Sequence, residues 1–309
     1  MQYARVKTVN TLRERPAMTD LIPSLATVSN RYDAVFCDLW GCLHNGKAPF
    51  PAAVDALRAF KAQGGIVLLL TNSPRPKSSV VTQLANIGVP RDCWDDIVSS
   101  GDAAQYALLA GAVGTRVHHI GAAKDAPFFT DLPSDAHAPQ TITRVPLAEA
   151  DGVVVTGLAD DLTETPDDYR AQLLMMKARD LPLLCANPDL IVDFGDRQLF
   201  CAGAIAQAYE QMGGTTLYFG KPHPPIYDLA RRRLAALTGR DDAAILAIGD
   251  GVNTDVQGGI AEGIDTLFVT GGIATRAFGP DSATPDPALL QAWLDAQQLS
   301  PSFAIPHLA

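Results

Sequence analysis

The chain has 309 residues, 47% of them hydrophobic, which is enough material for one large or two medium domains with a real core. Its 34 acidic and 24 basic side chains give a formal charge of -10, which argues against a general affinity for nucleic acid or an anionic membrane, so any anion site has to be local. The five cysteines (Cys37, Cys42, Cys93, Cys185 and Cys201) form no CxxC pair, and an odd count in apolar surroundings points to reduced thiols and a cytoplasmic protein.

Arg13, Glu14, Arg15 and Asp20 break up the first twenty residues, so no signal peptide is expected. The longest apolar runs, such as Ile66–Leu70, are far too short to span a bilayer. Ala34–Cys37 is a short apolar run ending at Asp38, and Trp40-Gly41-Cys42-Leu43-His44-Asn45-Gly46 follows it as a loop, so Asp38 stands at the carboxyl end of a buried strand. A helix is predicted over Pro51–Gln63, with proline in its first turn and Gly64-Gly65 as its stop. The strand Ile66–Leu70 then delivers Thr71-Asn72-Ser73, completing a right-handed βαβ unit. A strand at Ile97-Val98, a helix after Asp102 and a strand over Arg116–Ile120 come next. In that last strand His118 and His119 are neighbours and point to opposite faces, which argues against a metal pair.

Residues 122–150, rich in Pro, Ala, Asp and Thr, read as loop plus edge structure. Val153–Thr156, a helix over Tyr169–Arg179 that carries Met175 and Met176, and Leu183–Ala186 restart a strand-helix-strand pattern, the mark of an inserted domain. Its hinges are expected near Val113 and at Met212-Gly213-Gly214. The parallel pattern resumes with Leu217–Phe219, Gly220-Lys221-Pro222, a helix over Pro224–Leu237 and a strand Ala244–Ile248 that ends in Gly249-Asp250. A helix and a strand to Val269 follow, and the Pro-containing tail after Leu299 reads as low-complexity chain.

The expected fold is therefore α/β, a Rossmann-like doubly wound parallel-sheet core with an inserted α/β cap domain. Such sheets bind ligands outside the carboxyl ends of their strands, where Asp38, Thr71, Lys221 and Asp250 all fall. One strand ending in Asp is common, whereas four polar strand ends together make a site. Asp38 supplies a carboxylate nucleophile, and Asp250 and Asp255 supply oxygens for a hard divalent cation. Lys221, Thr71 and the amide of Asn72 supply donors for a phosphoryl group.

In order and spacing, Asp38-Leu39-Trp40-Gly41-Cys42-Leu43, Leu70-Thr71-Asn72-Ser73, Gly220-Lys221-Pro222-His223-Pro224 and Gly249-Asp250-Gly251-Val252-Asn253-Thr254-Asp255 resemble the haloacid-dehalogenase-like superfamily. The likeness is to its subclass IIA, which includes 4-nitrophenyl-phosphate and sugar-phosphate phosphatases, and it spans most of the chain. The resemblance implies Mg²⁺-dependent hydrolysis of a small phosphorylated metabolite through an aspartyl-phosphate on Asp38. It implies that Asp38, the Trp40 backbone carbonyl and Asp250 hold the metal with Asp255 close by, that Thr71, Asn72 and Ser73 orient the phosphate, and that Lys221 neutralises it. Asn187-Pro188-Asp189 is similar to a segment of that subclass, which implies substrate contacts from Asn187 and Asp189. It further implies a cap of residues 113–214 over a core of 1–112 and 215–309, and a homodimer through the cap is the assembly to test.

The chain departs from the family at Trp40. The phosphatases carry a second Asp there, which protonates the leaving oxygen and then activates water, whereas an indole does not titrate near neutrality. Loss of a general acid/base costs about 10²–10⁴ in rate. Three chemistries accommodate the change. His44, in the same loop, takes over the proton; the substrate is an acyl or aryl phosphate with a good leaving group; or the carboxylate displaces halide from carbon, as in haloacid dehalogenases, which carry Tyr here but need no acidic metal cluster. A catalytically weak or inactive homologue that binds a phosphorylated ligand is the non-enzymatic alternative. His223 is expected to cap a helix or line the mouth of the site, and Arg75 to meet substrate or cover a helix start.

Overall fold

A strand buried on both faces has to be apolar throughout, and all four residues of Ala34–Cys37 are buried. The computed structural model describes residues 18–194 and 197–309, so Arg13, Glu14 and Arg15 lie outside the described residues. The first stretch comprises β1 (Asp20–Leu21), β2 (Ala34–Cys37), α1 (Pro51–Ala62), β3 (Ile66–Thr71), α2 (Lys77–Asn86), β4 (Asp96–Ser99) and α3 (Ser100–Leu109). The second comprises β5 (Arg116–Ile120), α4 (Pro127–Thr130), β6 (Thr143–Arg144), β7 (Gly152–Val155), α5 (Arg170–Ala178), β8 (Leu183–Cys185), β9 (Ile191–Phe194), β10 (Arg197–Phe200), α6 (Ala202–Gln211) and β11 (Thr216–Tyr218). The third comprises α7 (Pro224–Thr238), β12 (Ile245–Gly249), α8 (Gln257–Ala261), β13 (Asp265–Val269), α9 (Pro287–Gln297) and β14 (Phe303–Ile305).

Among the described residues, seven strands form one sheet in the order β1-β14-β13-β12-β2-β3-β4, parallel at every pairing. From β2 the chain winds outward to β3 and β4, and from β12 it winds the opposite way to β13 and β14. The order thus reverses between β2 and β12, where open α/β sheets leave a crevice for ligands. Register fixes what lines it: Cys37 lies opposite Leu69 on one side and Ile248 on the other, so the residues that follow all three strands emerge side by side.

Alternating strand residues feed two packed layers. Val35, Cys37, Leu69 and Ile248 meet Val54, Leu57 and Phe60 of α1 on one face, and Phe36, Leu68, Leu70 and Val98 meet Ile226, Leu229 and Leu234 of α7 on the other. α1 stops as expected: Gly64 takes a left-handed φ of 90°, which costs glycine nothing.

Five further strands form a second parallel sheet in the order β11-β8-β7-β5-β6, and β9 and β10 pair as an antiparallel hairpin. The strand expected to reopen the first sheet near Leu217 instead pairs with β8, Thr216 opposite Leu183. The chain after Leu299 also differs from expectation. Phe303, Ala304 and Ile305 are buried and bridge β13 to β1, with Pro301 and Pro306 marking the ends of a strand. Phe303→Ala is expected to cost about 3–5 kcal/mol of stability by opening a core cavity, which urea denaturation measures. Among the described residues no helix is long and apolar enough to cross a membrane. All five cysteines are free and buried.

Candidate active site

The site forms where β2, β3 and β12 end. The Asp38 amide donates to the Ile248 carbonyl at 2.8 Å, continuing the sheet by one residue and seating the side chain at its rim. The loop beyond then closes tightly, with the amides of Leu43 and His44 both donating to the Leu39 carbonyl, at 2.9 and 3.0 Å. Gly41 makes this possible: its φ is 76°, and a Cβ there would lie 2.1 Å from Asp250 Oδ2.

Lys221 is the electrostatic centre. Its Nζ donates to Asp38 Oδ1 at 2.6 Å and to Asp255 Oδ1 at 2.7 Å, and the residue is 2% exposed. Burial alone would lower the ammonium, but Asp255 and Asp38 hold it well above the ordinary lysine range. Burial pushes the Asp38 carboxyl up while Lys221 pulls it back. Asp250, 3% exposed, is driven well above the usual carboxyl range by burial and then by Asp38 and Asp255. Its Oδ2 accepts from the Ile273 amide at 3.0 Å. Asp255 is raised to about 6, by burial first, and its second oxygen accepts from the Gly251 amide at 3.2 Å. Asp38, Asp250 and Cys42 bring their ligand atoms within 4.8 Å of one another. Both oxygens of Asp255 are engaged by Lys221 and Gly251, so it stands behind this set.

Asn72 has a part that its sequence context does not reveal. Its Oδ1 accepts from the Lys221 amide at 2.7 Å, while its Nδ2 donates to the Lys221 carbonyl at 3.0 Å and to Asp189 Oδ1 at 2.8 Å. The side chain therefore positions Lys221. Asp189 belongs to a turn that Asn187 stabilises, accepting from the Asp189 amide at 3.0 Å. Thr71 Oγ1 accepts from the Ser73 amide at 3.2 Å, and Ser73 Oγ from the Arg75 amide at 3.3 Å.

A cavity of about 240 Å³ lies next to this cluster, walled by Thr71, Ser73, Asn187 and Asp189, and by Trp40 and His44, while Asp38, Lys221, Asp250 and Asp255 are not part of its lining. Trp40 packs over Gly46, where a Cβ would come within 2.2 Å of the indole, and meets the His44 ring edge-to-face at 5.6 Å. Burial pushes the His44 imidazole down to about 4, so it is neutral at physiological pH. Its Nδ1 accepts from the Gly46 amide at 3.0 Å, an arrangement that assigns the proton to Nε2.

The motifs did not reveal the far wall, where Val192, Leu199 and Phe200 of the hairpin join Arg75 and Lys124. Two short segments with apolar residues, Ile191–Phe194 and Arg197–Phe200, separated in the sequence by Gly195-Asp196, were the available signal for the hairpin. Arg75 donates to Gln83 at 2.7 Å, and Lys124 is ion-paired with Asp161. His223 starts α7 without a side-chain capping bond and stacks on Tyr218 at 4.8 Å. His118 meets the Val145 carbonyl at 3.2 Å and His119 the Thr156 hydroxyl at 2.9 Å, on opposite sides of β5.

A family model described as haloacid dehalogenase-like hydrolase matches residues 35–132, and a second, HAD-hydrolase-like, matches residues 218–292. A crystal structure of a hydrolase of the haloacid dehalogenase-like family from Brucella suis 1330 is 39% identical, covering 94% of this chain and 100% of its own, with a TM-score of 0.79. The D-glycerol 3-phosphate phosphatase of Mycobacterium tuberculosis is 26% identical over 81% of this chain, which spans 66% of that relative's length. A structure of a glycerol phosphate phosphatase from that organism, in complex with magnesium, is 22% identical over 80% of this chain and 70% of its own, with a TM-score of 0.58. The 5'-nucleotidase YutF of Bacillus subtilis is 25% identical, covering 79% of this chain and 90% of its own length.

Proposed function

The chain belongs to the haloacid dehalogenase-like hydrolase family as a phosphatase-like member, and on that premise we propose that it is a Mg²⁺-dependent hydrolase of a small phosphorylated metabolite that works through an aspartyl-phosphate on Asp38. One observation carries this reading: Lys221 bridges Asp38 and Asp255 at 2.6 and 2.7 Å beside Asp250, at the carboxyl ends of adjacent parallel strands. Ionised together, the three buried carboxylates around one ammonium would carry two net negative charges, which a divalent cation with oxygen preference matches. Asp38, the Trp40 carbonyl and Asp250 would hold that ion. When bound, Mg²⁺ supplies counter-charge for the phosphoryl oxygens.

Lys221 keeps Asp38 ionised and aimed. The Thr71 and Ser73 groups and the Asn72 backbone orient the phosphate as the free Asp38 oxygen bonds to phosphorus and the bond to the leaving oxygen breaks. Water then cleaves the aspartyl-phosphate. Trp40 offers no proton to the departing oxygen, and a neutral His44 offers a hydrogen bond from Nε2. Acyl and aryl phosphates, whose leaving groups depart with little protonation, are therefore the favoured substrates. The cap between the two passages of core chain, with Asn187 and Asp189 against the cavity, would select among them.

A phosphate-release screen with and without Mg²⁺, using Asp38→Asn as the blank, tests the proposal. Release of phosphate from aryl and acyl phosphates is expected to need both Mg²⁺ and Asp38 and to exceed release from alkyl phosphates; equal rates on both classes would refute the leaving-group preference. His44→Ala is expected to slow turnover most for the poorest leaving groups, and an unchanged rate removes His44 from the chemistry. Absence of release from every phosphate tested, with the cation still bound, identifies instead the binding-only homologue that Trp40 suggests. Halide release without metal identifies carbon–halogen chemistry. The five free thiols support a reducing, cytoplasmic setting. Exposed Leu174 and Met175 on α5 support pairing of two copies through the cap, which sedimentation velocity reads.

A further inference from the structure

Cys42 lies among the carboxylates, and nothing in the hydrolysis just described uses it. The residue is 1% exposed, and its sulfur is within 4.8 Å of carboxylate oxygens of Asp38 and Asp250. Three other buried thiols are satisfied, Cys37, Cys93 and Cys185 each donating to a backbone carbonyl at 3.2, 3.1 and 3.2 Å. The Cys42 thiol makes no such bond among the described residues, so a buried thiol is left without a hydrogen-bond partner beside two acids. The backbone is also shut around this spot: a Cβ on Gly41 or Gly272 would fall 2.1 or 2.0 Å from Asp250 Oδ2. A hard cation takes oxygen and gains nothing from sulfur, whereas borderline and soft divalent ions bind thiolate strongly, at about 2.3 Å for zinc to sulfur and about 2.0–2.2 Å for zinc to carboxylate. Two oxygens and one sulfur on two neighbouring loops are the donor set of such an ion.

We propose that this site also takes a thiophilic divalent cation, Zn²⁺ or Cd²⁺, one per chain, through Asp38, Asp250 and the Cys42 thiolate, and that this ion excludes Mg²⁺. The thiol proton goes to solvent on binding, so the sulfur ligates as the anion. The inference rests on the proposed metal role of Asp38 and Asp250, and it adds a ligand that makes the site selective against the ion needed for hydrolysis.

Cadmium titration of the metal-free full chain, followed by the ultraviolet charge-transfer absorption of thiolate bound to cadmium, tests it with no reliance on turnover. One equivalent of Cd²⁺ is expected to saturate the band, which should vanish in Cys42→Ser and Cys42→Thr and persist in Cys93→Ser. Asp250→Asn is expected to weaken Cd²⁺ at least tenfold, and millimolar Mg²⁺ to raise the apparent Cd²⁺ dissociation constant. Mn²⁺ binding, read by electron paramagnetic resonance, should survive in the variant with Thr, whose near-ultraviolet circular dichroism reports its fold. A cadmium band undiminished in both Cys42 variants, or a Cd²⁺ affinity indifferent to Asp250, overturns the proposal. A band intact in a chain that binds neither Mn²⁺ nor Mg²⁺ refutes the hydrolase metal site but leaves the thiolate site standing. Normal Mn²⁺ binding with no cadmium band does the reverse.

Discussion

Trp40→Asp is expected to raise turnover of alkyl phosphates by about 10²–10⁴ while changing that of aryl phosphates far less. The substitution puts a carboxyl group on the loop that carries Asp38, two residues downstream, where a leaving oxygen needs a proton. Burial and the neighbouring acids that raise Asp250 and Asp255 would raise this carboxyl too, and a raised carboxyl is a better acid at neutral pH. The packing loss is limited, because Trp40 is only half-buried and rests on Gly46, which has no side chain to strand. Trp40→Asn, similar in shape but without a proton to give, is the control and should leave the alkyl rate low. The ratio of alkyl to aryl kcat/KM measures the effect. An unchanged ratio in a folded Trp40→Asp chain would mean that leaving-group protonation does not limit this enzyme.

Lys221→Met is expected to abolish detectable turnover and, in metal-free buffer, to destabilise the fold by about 3–5 kcal/mol, because it strands carboxylates that the ammonium compensates. Asp38 and Asp255 both lose their ion pair, and both are largely buried where they stand. Millimolar Mg²⁺ should recover part of the loss by replacing some of the missing positive charge. Urea denaturation of both proteins, with Mg²⁺ and with a chelator, reads the two effects together. Equal stability of variant and parent in chelator would show that the cluster sheds its charge by protonation.

The strand ends were legible because the signal is local: an apolar run followed by Asp38, by Thr71-Asn72-Ser73 or by Gly249-Asp250 states both the strand and what it presents. β11 was misplaced because three residues, Thr216–Tyr218, say that a strand exists but not which sheet it joins. The chain after Leu299 misled for another reason. Its prolines suggested irregular chain, while the burial of Phe303, Ala304 and Ile305 depends on neighbours in β1 and β13 that lie far away in sequence. The same holds within the site. The bond between Asn72 and Asp189 joins residues 117 apart, and the thiol of Cys42 meets Asp250 only through the fold. Residues that speak through their own sequence neighbours were readable, and those that speak through the fold were not.

Asn72 gives that last point a mechanical side. Two of its bonds grip the backbone on either side of the Lys221 Cα, and the third grips the turn at Asp189 in the segment between the second sheet and its hairpin. One amide is thus an interlock between the turn that walls the cavity and the strand end that carries the charge. If the outer segment shifts, the grip on the ammonium loses its third point of support, so the lock and the live terminal it guards are thrown by the same lever.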